Sequence, residues 1–226
     1  MLRNMIGATA LSLVLATAVF AEGKYTLKPA TTAAPQELAE PIRSLLAEQS
    51  LQVLDAKGMP VCEVWVRKEI PCKATPEQVK NGLTYRELEE STVLGAVRFD
   101  QTYTDFRKQK IKPGVYTLRL GFQPMDGDHM GTAPYQEFCL VSPAKADQKP
   151  DIMEAKELRE LSAKSTGTSH PSVMLLFPNE KPEDMPKLQD KGNDIFVANF
   201  KRPVVASGEK TSIGVGLTVV GHTTAE

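Results

Sequence analysis

Apolar and polar residues alternate with a period of two along much of the chain. Residues 111–143 show the pattern best. Val115, Thr117, Arg119 and Gly121 interleave with Tyr116, Leu118, Leu120 and Phe122, as in a strand set between two environments. Pro113-Gly114 opens this strand and Gln123-Pro124 closes it, both turn signals. A return strand over 137–141 carries Phe138, Leu140 and the thiol of Cys139. Similar runs predict strands at 51–54 and 61–66, joined by the turn Asp55-Ala56-Lys57-Gly58, and at 92–99, 172–177, 195–200 and 213–220. Ser207-Gly208-Glu209-Lys210 supplies a turn between the last two. Residues 103–112 are polar and basic, with Arg107, Lys108, Lys110 and Lys112, and read as an edge strand whose charges resist pairing with another chain. An anion-binding patch is the functional alternative for the same residues.

Period-3.6 patterning is confined to short pieces. Leu38, Ile42, Leu45 and Leu46 predict an amphipathic helix over 37–49, with Pro41 in its first turn. Thr75-Pro76-Glu77-Gln78 is a capping box with proline at the first helical position, and Asn81-Gly82 ends that helix. Residues 151–154 cap a further helix with Leu158 and Leu161 on its apolar side, closing near Gly167. Residues 22–36 are rich in Thr, Ala and Pro without apolar period and read as a flexible lead. Residues 179–193 read as a charged loop. Turn signals between many short strands, without βαβ alternation, predict a mostly β antiparallel β-sandwich of eight to nine strands with two or three short helical insertions, a single domain over 37–226.

The N-terminus changes the compartment. Arg3 precedes an apolar run at 6–20, and Val19-Phe20-Ala21 offers small residues at −3 and −1 before Glu22. That is a Sec-type signal peptide over 1–21, cleaved after Ala21, and it predicts a periplasmic or secreted protein. Cleavage removes one charge, Arg3, from the 27 Lys+Arg and leaves the 28 Asp+Glu intact. The near balance gives no electrostatic case for nucleic acid, and no later segment is apolar enough to span a membrane. An extracytoplasmic protein or a carbohydrate is the partner class left open. Three cysteines, Cys62, Cys72 and Cys139, remain after cleavage. A disulfide between Cys62 and Cys72 is geometrically possible, three buried thiols acting as small hydrophobes is the alternative, and the odd count leaves at least one thiol out of any intramolecular pair.

Candidate chemistry gathers at Met125-Asp126-Gly127-Asp128-His129-Met130-Gly131. Counted from Asp126, the loop has Asp128 third, Gly131 sixth and Glu137 twelfth, which overlaps a calcium-loop pattern. Met130 stands where an oxygen ligand belongs, Pro134 interrupts the second half, and the flanks read as strands. Asp126, Asp128 and His129 are nonetheless the candidate metal ligands, with calcium as the candidate ion. The alternative is a turn in which the aspartates bind nearby backbone N–H groups. His170 and His222 stand apart from other ligand types, and no residue spacing matches a zinc or copper site. No G-x-S-x-G, H-E-x-x-H or phosphate-cradling loop occurs. Ser169 beside His170 is adjacency in sequence and no more, Glu89-Glu90 read as surface, and Trp65 on its strand reads as core or as a sugar-stacking ring.

The segment Ile111-Lys112-Pro113-Gly114-Val115-Tyr116-Thr117-Leu118-Arg119 resembles a strand of secreted transthyretin-like and carboxypeptidase-regulatory-like β-sandwiches. It is also similar to the matching strand of a bacterial domain of unknown function in that group. Residues 53–61 fit the same style of hairpin. The resemblance implies a fold and carries over no catalytic residue. Together these readings predict a non-catalytic secreted binding or structural module, with residues 123–135 as first contact surface and the basic 107–112 edge as second. A metal-binding module and a hydrolase with a composite site at the Asp126-Asp128-His129 loop are the alternatives.

Overall fold

The computed structural model describes residues 23–124, 131–206 and 208–224. The predicted signal peptide over 1–21 and the loop residues Asp126, Asp128 and His129 lie outside them.

Turn chemistry builds the first hairpin. β1 (Tyr25–Ala30) pairs with β2 (Leu46–Asp55), which pairs in turn with β3 (Pro60–Arg67). At the β2–β3 turn the Asp55 carboxylate accepts from the backbone N–H groups of Lys57 and Met59, and Gly58 takes a φ of 77°, open to glycine without strain. β4 (Ile70–Pro71) follows, then α2 (Pro76–Asn81), whose predicted capping box forms between Thr75 and Gln78. β5 (Val93–Phe99), β8 (Gly114–Phe122), β9 (Glu137–Pro143) and β10 (Ser172–Phe177) continue the sheet. β11 (Lys187–Asp190), β12 (Phe196–Ala206) and β13 (Glu209–Val220) complete it.

The fold is mostly β, as the alternation predicts, but its architecture differs from an antiparallel sandwich of eight to nine strands. One large curled sheet runs β1-β2-β3-β5-β8-β9-β10-β13-β12-β11, and β4 joins it parallel to β12, so the sheet is mixed. The turning point is β10. Its residues Ser172 to Leu175 pair with β9, whereas Leu176 and Phe177 pair with Leu217 and Gly216 of β13. The two halves thereby face each other across one core that joins Val64, Val97, Leu118, Cys139 and Met174 to Phe200, Val215 and Leu217. The Tyr85 hydroxyl bridges the halves, donating to the Phe177 carbonyl and accepting from Gly216 N–H. A Cβ on Gly216 would stand 2.7 Å from that carbonyl oxygen, so glycine is required where β10 crosses β13.

Four further differences have local causes. The segment read as a flexible lead forms β1, because an edge strand needs backbone partners rather than an apolar period; Tyr25 packs edge-on against Phe196. The predicted helix over 37–49 shrinks to one turn, α1 (Glu40–Arg43), and from Leu46 the same residues pair with β3. Leu38, Ile42 and Leu46 are still buried, beneath Trp65 and Ala96 on the outer face of the sheet. The charged 179–193 loop contains β11, an edge strand on β12. The basic stretch is a separate two-stranded hairpin, β6 (Tyr103–Thr104) and β7 (Lys110–Ile111), with Tyr103, Phe106 and Ile111 buried.

α3 (Ala155–Ala163) covers the outer face of β9 and β10. It starts after Glu154, without a side-chain cap from any of the predicted capping residues. β8 is buried on both sides, with the 147–153 segment over Thr117 and Arg119. The alternation within β8 therefore separates two interiors, one apolar and one polar, rather than core from water. Among the described residues, no helix is long and apolar enough to cross a membrane.

Candidate functional site

A groove lies on the outer face of β9 and β10, and its walls are set by a few local devices. One wall is the tip of the β6–β7 hairpin. Asp105 accepts from the backbone N–H groups of Arg107 and Gln109 with one carboxylate oxygen, and from Val173 N–H with the other. Phe106 N–H donates to the Val173 carbonyl, so the tip is fastened to the start of β10. Lys108 takes a φ of 68° to close the turn, and Arg107 is left at the apex, exposed. Burial outweighs these hydrogen bonds and raises the Asp105 pKa above the ordinary carboxylate range.

α3 forms the opposite wall. Lys156, Arg159, Glu160 and Ala163 share one helical face and line the groove, while Leu158 and Leu161 are buried. The Ser162 hydroxyl donates to backbone carbonyls of β9 and β10, and that of Ser165 to Val141 of β9, which seats the helix on the sheet. The approach to the helix is held from the other side by Arg119. This fully buried guanidinium donates to both Asp147 oxygens at 2.8 Å, and to the carbonyls of Ser91, Asp151 and Lys149. Thr117 also donates to Asp147, and Met153 N–H donates to the Ser91 hydroxyl. Arg119 thus fixes the path of 147–153 into α3 and, through it, the groove wall.

The ends are closed by Gln123, Pro124, Thr132 and Ala133 and by the 169–171 turn. The C-terminal segment ties two of these parts together. Thr223 N–H donates to the Phe106 carbonyl and its hydroxyl donates to the Thr132 carbonyl. The floor is Phe138, Leu140 and Val173. The volume of about 1070 Å³ stands just above the roughly 300–1,000 Å³ of small-molecule pockets.

Several sequence-nominated residues meet here and others do not. The two nominated surfaces, 123–135 and 107–112, converge on one groove through Gln123, Pro124, Thr132 and Ala133 and through Arg107. His170 and Ser169 line it as well, but no hydrogen bond joins Ser169 to His170, and no acid orients the imidazole among the described residues. No group of three or more His, Cys, Asp or Glu comes together among the described residues. Glu90, read as surface, is half-buried and accepts from Phe122 N–H. Trp65 is core, its indole N–H donating to the Thr32 carbonyl.

The Cys62–Cys72 bridge does not form: all three cysteines are free. Cys62 lies inside the core cluster and Cys72 at its margin. Burial pushes the Cys62 thiol up to about 12 and raises Cys139 and Cys72 as well, which makes the two buried thiols poor nucleophiles. Arg119 and Asp147 were not nominated from sequence; an arginine within an alternating strand was the available signal. Comparison with known protein families, with curated proteins and with solved structures finds no match to this chain.

Proposed function

We propose that the chain is a non-catalytic binding module and that its ligand sits in the groove between α3 and the β6–β7 hairpin. The observation that carries this is the groove itself: an apolar floor of Phe138, Leu140 and Val173 between walls fastened by buried polar contacts. Preformed concavities with apolar linings and few polar groups are where small ligands bind. The leader-like pattern of Arg3, the apolar run and Val19-Phe20-Ala21 supports placing the module outside the cytoplasm.

Nile red, an uncharged apolar dye, tests the site. Saturable binding with one-to-one stoichiometry is expected, at least tenfold weaker in Ala163→Trp, where a large ring on the groove face of α3 fills the volume. Thermal melting of the variant checks that it is folded. Failure of the dye to saturate, or binding unchanged by Ala163→Trp in the folded variant, would refute the reading.

A further inference from the structure

We infer that the groove takes a small amphiphile with an oxyanion head, its apolar body on the Phe138–Leu140–Val173 floor and its carboxylate or phosphate at an arginine rim; the inference rests on the groove being the ligand site. The argument starts from the arginines. Eight lie among the described residues. Six of them donate to an acceptor: Arg43 to Glu40, Arg67 to the carbonyls of Glu69 and Val93, Arg86 to Glu137, Arg98 to Glu63, Arg119 to Asp147, and Arg202 to the carbonyls of Arg67 and Lys68. The two guanidinium groups without an acceptor among the described residues are Arg107 and Arg159, and both line the groove.

The two acids among the described residues of the rim have partners. Glu90 accepts from Phe122 N–H at 3.1 Å, and Glu160 lies 3.9 Å from the Lys156 ammonium. Arg107 is carried on a turn locked by Asp105, and Arg159 on a helix seated through serine hydroxyls, so the backbone beneath each guanidinium is fixed. A planar guanidinium offers parallel N–H donors that match the two oxygens of a carboxylate or phosphate. The floor beneath supplies the apolar contact such a head group alone would not use. Floor and rim together select a molecule that has both parts.

Isothermal titration of the full-length protein with four twelve-carbon probes tests this: dodecanoate, dodecyl phosphate, dodecanol and dodecyltrimethylammonium, each below its micelle concentration. Both anions are expected to bind one per molecule, about tenfold or more tighter than dodecanol, the scale of a charge-assisted hydrogen bond. The tighter anion identifies the head group as carboxylate or phosphate. Arg107→Gln/Arg159→Gln should remove that preference, with thermal melting to show that the variant is folded; a preference for the anions that survives in the folded variant would overturn the assignment to these arginines. Shortening dodecanoate by one methylene should weaken it by up to about fourfold. Dodecanol binding as tightly as the anions, or the cation binding more tightly, would overturn the anion assignment and leave the groove reading standing. Inorganic phosphate displacing dodecyl phosphate at equal concentration would overturn the amphiphile assignment. Absence of binding by all four probes and by Nile red would remove both readings.

Discussion

Arg119 sits on a strand that otherwise reads as core, and the structure shows why a charge is tolerated there. Its donors all find acceptors, and its charge meets the Asp147 carboxylate in two-point geometry. Removing one member of such a pair leaves the other charge buried and uncompensated, a loss of about 3–5 kcal/mol. Arg119→Met and Asp147→Leu should each lower the urea unfolding free energy by about that amount. The double variant should recover part of it, because the lone charge is gone, but not all. The carbonyls of Ser91, Lys149 and Asp151 would still lose a donor, at about 1–3 kcal/mol for a buried group. Single-variant losses below about 1 kcal/mol would mean the pair is not the clamp described. The sequence announced half of this arrangement. Arg119 was visible as a polar residue in period-two register, whereas Asp147 lay in a stretch with no pattern, and nothing local ties the two together.

At the scale of elements, legibility followed local chemistry. The α2 capping box and the Asp55–Gly58 turn were readable because each is written within a few residues. The helix over 37–49 was misread because Leu38, Ile42 and Leu46 satisfy helical spacing and are indeed buried, yet pairing with β3 claims the chain from Leu46. Tertiary pairing overrides propensity in such short segments. The β6–β7 hairpin was half legible: its charges marked an exposed face, but Asp105 gave no hint of its burial. That burial has a pH signature. Because the Asp105 pKa is raised in the folded protein by desolvation, its contribution to stability is fullest below the ordinary carboxylate range, about pH 4. The contribution declines as pH rises through the raised folded value. Unfolding free energies measured from about pH 4 upward should therefore fall in the wild type relative to Asp105→Asn, then level off. A difference that stays flat or grows with pH would contradict the assignment.

Over the whole molecule, strand content was readable and strand order was not. Period-two runs reveal which residues pair and face a core, but β10 divides its pairing between β9 and β13, and that handover depends on contacts between residues far apart in sequence. The short members β4, β6, β7 and β11 carry too few residues to show a period. β1 occupies one end of the sheet order and β11 the other, with Tyr25 of the first against Phe196 at the start of β12. A chain beginning at Thr31 would leave the outer edge of β2 uncovered, and unpaired edges recruit other chains. Light scattering should show that this truncated form self-associates while the full-length form stays monodisperse. Equal dispersity of the two would show that β1 is not needed as an edge cover.

The contacts of Thr223 have a mechanical consequence. The groove draws its parts from residues 90 to 223, and Thr223 fastens two of them to each other. A chain cut before Thr223 would keep the floor of Phe138, Leu140 and Val173 but lose the tie between two parts of the rim. Loss of the Thr223 contacts would therefore loosen the Phe106 turn and the Thr132 end together.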